Sequence, residues 1–426
     1  MFFVCIFFDG SGQWALKNLA VCTLILYDDI QNMEKNRRSA IFILFLLPVL
    51  ILSTNCFAES NWHLIPTLTV SETYDDNIDS TPTGTEDYIT RIGADLSAIY
   101  NGPDIGLQGT YLINLNTYAR QPKENVLTHD GNFNINLNRW FQRWIQRGEL
   151  TVTEDLTLTP DLRDYYFDET TGDIGSLSSY GIRTRRSDAF RNAFSIAAAL
   201  PITRRVNFSA SYSNLLTEHE DPEFRDNITN TAGFGIGYAF PKDNVYSNFG
   251  VSNIREERED SNSYSLVVGV RHTISPATAF DINTGVVTVN PETGSSSSTL
   301  RGGLSLTKRS RGYSYNAGYS RSLNTVSGVS SAPTTADIFY INRSNIHSDV
   351  LTSTLGANYA INRSLSGNEV DVHSYNISGS LNYAIRKWLR SSLTASHFNQ
   401  ESEVSNTVTT DIQRNMITIA FVGTWN

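Results

Sequence analysis

Apolar and polar residues alternate with a period of two along most of the chain after Leu64, with no 3.6-residue helical period among them. In Tyr88 to Tyr100, alternation places Tyr88, Ile92, Ala94, Leu96, Ala98 and Tyr100 on one face and Arg91, Gly93, Asp95 and Ser97 on the other. Phe133, Ile135 and Leu137 oppose Asn132, Asn134, Asn136 and Asn138, and Ala232, Phe234, Ile236, Tyr238 and Phe240 oppose Gly233, Gly235, Gly237 and Ala239. Tyr264, Leu266, Val268 and Val270 oppose Ser265, Gly269 and Arg271, while Tyr375, Ile377, Leu381, Tyr383 and Ile385 oppose Ser374, Asn376, Ser378 and Asn382. The final stretch, Arg414 to Asn426, sets Ile417, Ile419, Phe421 and Trp425 against Thr418, Ala420 and Thr424. Each segment is a two-faced strand whose second face is too polar for the core of a β-sandwich.

The connections alternate as well. Short turns at Asn101 to Asp104, Pro201 to Arg204, Pro241 to Asn244, Ser275 to Thr278 and Arg386 to Trp388 are interleaved with longer polar stretches. The longer stretches are Pro160 to Ser187, Glu218 to Asn227, Arg255 to Asn262, Pro291 to Ser298 and Gln400 to Asp411. Trp62, Trp140, Trp144, Trp388 and Trp425 all fall at strand ends on the short-turn side, as an interfacial aromatic girdle requires. The pattern predicts an all-β chain: a transmembrane, antiparallel, up-and-down β-barrel of about 16–18 strands, even in number so that both ends lie on one side. The count turns on Ala336 to Asn342, which either forms a wall strand or folds into the lumen as a constriction.

Composition adds the compartment. The 426 residues are 40% hydrophobic and 18% charged with a net charge of −10, and no segment of the expected mature chain holds the roughly 20 apolar residues of a membrane helix. Met33 to Ala58 reads as a signal peptide: Lys35, Arg37 and Arg38 precede an apolar run from Ala40 to Leu52, and Ala58 precedes the expected cleavage before Glu59. Cys56 could instead carry a lipid, but Asn55 before it does not suit a lipoprotein site. Residues 1–32 read as an upstream extension from a mis-assigned start, leaving 59–426 as the barrel. All three cysteines, Cys5, Cys22 and Cys56, precede that point, which removes disulfides, thiolate metal sites and cysteine nucleophiles from the expected mature chain. Its acidic balance gives no reason to expect nucleic acid as a partner.

A terminal aromatic strand such as Arg414 to Asn426 resembles the closing strand of bacterial outer-membrane barrels. Near the other end stands Glu72-Thr73-Tyr74-Asp75-Asp76-Asn77-Ile78. With that run and the hairpin architecture, the chain is similar to outer-membrane barrels found with exopolysaccharide and exosortase gene clusters. The resemblance spans Trp62 to Asn426 in architecture but only this short run in motif. It implies a place in the outer membrane among lipid and lipopolysaccharide, a link to polysaccharide secretion and periplasmic secretion components as partners.

Chemistry in such a fold belongs to the inward face. Alternation directs Arg91, Arg191, Arg205, Arg271, Arg301 and Arg414 inward with Asp95, Glu149, Asp155 and Asp281. A row of permanently charged guanidinium groups could guide an anionic sugar polymer, or the same groups could be paired off with the acids and simply hold the wall together. A general solute porin and a plugged structural barrel, closed by Pro160 to Ser187 or by Ala336 to Asn342, are the alternatives to polysaccharide export. Acidic loop clusters (Glu218, Glu220, Asp221, Glu223; Glu256, Glu257, Glu259, Asp260; Asp161, Asp164, Asp168, Asp173) read as solvated loops rather than cation sites, and Asp75, Asp76, Asn77 and Asp79 as turn formers. His347-Ser348 and His373-Ser374 are adjacent and so lie on opposite faces of a strand, which spoils a direct relay. No enzyme, metal or cofactor is expected.

Overall fold

The computed structural model describes residues 62–159, 186–224, 226–256, 260–292, 295–324, 334–365, 370–402 and 411–425. The expected extension and signal segment, most of Pro160 to Ser187, and the acidic cluster at Asp161 to Asp173 lie outside them. Of the two units into which the chain divides, Trp62–Asn426 is the one described.

That unit is a single antiparallel sheet of 18 strands whose last strand pairs with its first. The chain runs β1 (Trp62–Asp75), β2 (Asp87–Asn101), β3 (Gly106–Tyr118), β4 (Val126–Asn136), β5 (Glu149–Thr159), β6 (Ala189–Pro201), β7 (Val206–His219), β8 (Asn227–Ala239) and β9 (Asp243–Glu256). It continues through β10 (Asp260–Ser275), β11 (Thr278–Pro291), β12 (Ser297–Arg309), β13 (Tyr313–Asn324), β14 (Thr334–Ile346), β15 (Leu351–Ser364), β16 (Asp371–Arg386), β17 (Leu389–Ser402) and β18 (Ile412–Thr424). A four-residue helix, α1 (Asn138–Phe141), caps the β4–β5 connection. Each strand pairs with its neighbours in sequence, and closure leaves no edge. Ala336 to Asn342 lies within β14, paired on both sides, so this piece is wall and not a lumen constriction.

Closure follows from the same alternation that makes the strands. In β18, Ile417 and Ile419 are each 50% exposed while Ala420, the next residue along the strand and on its other face, is 8% exposed. The same exposed apolar set recurs in β1 at Leu64, Leu68 and Val70, in β2 at Ile92 and Leu96, and in β10 at Leu266 and Val268. Cross-strand pairing joins these positions into one outward belt, with Val70 opposite Ile92 and Leu266 opposite Val286. Water would not tolerate so large an apolar belt, whereas the hydrocarbon of a bilayer requires it. No helix among the described residues is long and apolar enough to cross a membrane; the strands cross instead. The protein is a β-barrel of the bacterial outer membrane.

Pro66 marks where the seam begins. It has no N–H to offer a ladder, and β1 meets β18 only from Thr67 onward, while the Pro66 carbonyl accepts the Trp425 N–H at 3.1 Å. Trp62, Trp140, Trp144, Trp388 and Trp425 all lie at the barrel end formed by the short turns. Trp388 and Trp425 stack with ring centroids 6.2 Å apart, and Trp62 packs on Tyr100 at 4.9 Å.

Candidate functional site

The inward wall is built from the alternate residues of every strand, and its character changes around the circumference. On β13 to β17 these positions include Ser314, Asn316, Ser320 and Ser322; then Asn342, Asn358, Ser374, Asn376, Ser378, Thr394 and Ser396, beside Ile338, Tyr340 and Ala360, without a charge in the middle of any strand. Charged groups concentrate in two arcs. On β2 to β6 stand Arg91, Asp95, Asp130, Asp155 and Arg191; on β10 to β12 stand Arg271, Asp281 and Arg301.

The first arc is knitted together. Arg91 Nε donates to Asn116 Oδ1 at 2.8 Å, Ser97 Oγ donates to Asp95 Oδ1 at 3.4 Å, and Asn132 Nδ2 donates to Asp155 Oδ1. Arg191 lies diagonal to Asp155 across β5 and β6, since it pairs with Thr157. Glu149 sits exposed at the start of β5. The second arc is looser. Arg271 is directly opposite Asp281, whose Oδ1 accepts the Tyr246 hydroxyl at 2.9 Å. Gly269 makes room for that ring, because a Cβ there would meet Tyr246 Cζ at 2.4 Å. Arg301 is opposite Gly285. Both Arg271 and Arg301 are exposed on the inner wall, and no salt bridge within 4.0 Å involves either among the described residues.

Two arginines expected to line the lumen are not presented to it. Arg205 follows the Pro201 to Arg204 turn and precedes the first residue of β7, where alternation no longer governs direction; it is exposed and its Nη1 reaches the Tyr238 hydroxyl at 3.4 Å. That contact holds its charge and raises its pKa further. Arg414 does point inward, yet it is 5% exposed and forms a two-pronged ion pair with Asp75, with Nε at 3.0 Å and Nη2 at 2.5 Å from Oδ2. Asp75 is wholly buried. This arginine is unavailable to a passing solute because it joins the last strand to the first.

The run Glu72 to Ile78 proves to be the upper half of that junction. Asp76 accepts Asn415 N–H at 2.7 Å and its amide at 2.6 Å, while Asn415 Oδ1 meets His397 Nδ1 at 2.7 Å. Asn77 donates to the carbonyls of Thr81 at 2.7 Å and Gln413 at 2.9 Å, and its Oδ1 accepts the Thr81 N–H at 3.0 Å. Asp75, Asp76 and Asn77 are therefore more than turn formers. Beyond them Tyr74 donates to Glu86 at 3.1 Å, and the Arg120 guanidinium beside Glu86 holds its carboxyl below the usual range.

The inner wall also differs along the barrel axis. Toward the long-loop end the inward residues are buried, among them Val287, Val289, Ala336, Ile338, Val372 and Phe398. Toward the short-turn end His63, Gln108, Asn136 and Asn244 are exposed. Among the described residues the inner wall is thus more exposed toward the short-turn end than toward the long-loop end. His347 and His373 do not engage the serines beside them in sequence: His347 Nε2 meets Ser353 Oγ at 2.7 Å, and His373 Nδ1 meets the Tyr359 hydroxyl at 3.0 Å.

No protein-family model matches the chain, and no curated protein matches it. Among solved structures it is similar to OmpT, an outer membrane protein of Vibrio cholerae, at 11% identity and a TM-score of 0.39, over 87% of this chain and 99% of that one. It is also similar to the outer membrane protein opdK from Pseudomonas aeruginosa (11%, TM-score 0.44, 85% and 99%). OccK2 (OpdF) of the same organism, solved in complex with glucuronate, matches at 10% and a TM-score of 0.45 over 86% and 98%. At such scores these likenesses carry no argument about solute, and the barrel stands on the chain's own strand pairing.

Proposed function

We propose that the protein is a passive pore for polar solutes, lined by hydroxyl and amide groups and biased toward anions by Arg271 and Arg301. The observation that carries this reading is the inner wall itself. A barrel kept only for structure could fill its interior with apolar side chains; here the inward positions midway along most described strands are Ser, Thr, Asn, Gly or charge, with Leu112, Val267, Ile338 and Tyr340 as exceptions. Such groups substitute for a solute's hydration without holding it tightly, which passage requires. Export of an acidic exopolysaccharide is the more specific form of the proposal, supported by the two free guanidinium groups and by the Glu72 to Ile78 resemblance. Periplasmic secretion components would then meet the short-turn end. Conductance of the purified protein in planar bilayers tests passage, and block by uronic-acid oligomers against neutral ones tests the polymer.

The buried inward residues at the outer end favour a second reading, a barrel closed at its mouth. Absence of any conductance step would decide for it.

A further inference from the structure

Lipid chains offer no hydrogen bonds, so an outward position midway along a membrane strand is where a polar side chain is most costly. Most strands respect this: the outward positions of β2 from Ile92 to Tyr100 are Ile, Ala, Leu, Ala and Tyr. β5 does not. Its outward run is Leu150, Val152, Glu154, Leu156 and Leu158, with a carboxylate at the centre. Glu154 pairs across the sheet with Phe133 and Phe194, and Phe194 pairs with Asn214 of β7, which pairs with Asn230 of β8. Asn192 of β6 donates to Glu154 Oε1 at 2.5 Å. Asn230 Oδ1 accepts both the Asn214 amide and the Tyr212 hydroxyl, each at 2.9 Å. Four neighbouring strands thus carry a polar island that starts inside the apolar belt at Glu154 and continues toward the long-loop end through Asn253 of β9, which pairs with Asn230 and donates to Asn262 of β10 at 3.1 Å.

We propose that this island is the interface with a second copy of the chain. A headgroup is an unsuitable occupant for its centre, because Glu154 is flanked on its own strand by two outward apolar residues on each side. A second copy supplies what lipid cannot. The island contains a carboxylate with acceptor capacity beyond its one bond from buried Asn192 and, on adjacent strands, donors with capacity to spare: each amide can donate twice and accept twice, and each of Asn214 and Asn230 has only part of that capacity used by the bonds above. A two-fold axis along the membrane normal presents Glu154 of one copy to the Asn214 and Asn230 amides of the other, and the reverse, so that one patch complements itself. Oxygen and nitrogen groups that oppose membrane insertion in a lone barrel then stabilise the pair, the use to which membrane proteins put asparagine elsewhere.

The test uses the full chain in native outer membranes. Cysteines are introduced singly at Ala210 and Ala232, outward residues of β7 and β8 beside Tyr212, and at Ala395, outward on the far wall in β17; no native cysteine lies beyond Cys56. Oxidation should yield a disulfide-linked pair of this chain from Ala210→Cys or Ala232→Cys and none from Ala395→Cys. In mild detergent the protein should have twice the chain mass. The variant carrying Glu154→Leu, Asn214→Leu and Asn230→Leu should fall to the single-chain mass while remaining heat-modifiable. A single-chain mass for the unaltered protein without cross-linking at either position, equal cross-linking at Ala395→Cys, or linkage to a different protein would each overturn the proposal. If the triple variant does not insert, the three cysteine variants still decide.

Discussion

Asp75 and Arg414 are separated by 339 positions in the chain, yet they form a buried, two-pronged ion pair. A buried pair contributes little net stability, because desolvation of both charges offsets their attraction, but removing one partner strands the other. Arg414→Leu or Asp75→Asn should therefore lower unfolding free energy by about 3–5 kcal/mol, while Asp75→Leu with Arg414→Leu should recover most of it. Urea unfolding of the four proteins in detergent measures this; a double variant as unstable as the sum of the singles would show that the two residues are not coupled. Alternation reads Arg414 as inward, which it is, but a local period cannot reveal a partner at the opposite end of the chain. For the same reason Asp75, Asp76 and Asn77 read as turn chemistry until the strand they grip is seen. Arg205 was misplaced by a different limit, since a period of two stops meaning anything one residue outside a strand. Arg271 and Arg301, lying well inside β10 and β12, carry the electrostatic prediction: replacing both with Gln should move the reversal potential toward cations with assembly intact. An unchanged reversal potential would mean that neither arginine faces the path.

At the level of the element, each strand has one apolar and one polar side, and the two should respond oppositely to the same substitution. Val268→Arg, on the outward face of β10, should cost about 2–4 kcal/mol of barrel stability or block insertion. Asn248→Arg on the neighbouring strand, an exposed inward position, should be tolerated and should reduce conductance. Equal tolerance of both would contradict the assignment of faces. The strands were legible because burial on one side imposes a period of two on residue type. Ala336 to Asn342 was ambiguous for a physical reason: Ala-Asp-Ile-Phe-Tyr-Ile-Asn alternates poorly, with apolar Ala336 and Ile338 facing inward beneath the outer mouth. β5 shows the converse, as Glu154 interrupts an outward apolar run with a charge that the period of two does not anticipate.

For the whole molecule, 18 strands joined first to last should make the barrel resist dodecyl sulfate until heated, with the unheated band migrating ahead of the heated one. A mobility that heating does not change would mean the barrel does not close. An even count places both ends of the barrel and its five tryptophans at one face, the short-turn one. The wall arginines matter despite a net charge of −10. Charges on distant loops are screened beyond about 8–10 Å at ordinary salt, so the field within a lumen is set by its own lining. The central claim, an open and anion-biased pore through the outer membrane, is tested most directly by single-channel recording of the purified protein across a salt gradient. Discrete conductance steps with a reversal potential on the anion side are the predicted result; no steps, or a cation-selective current, would contradict it.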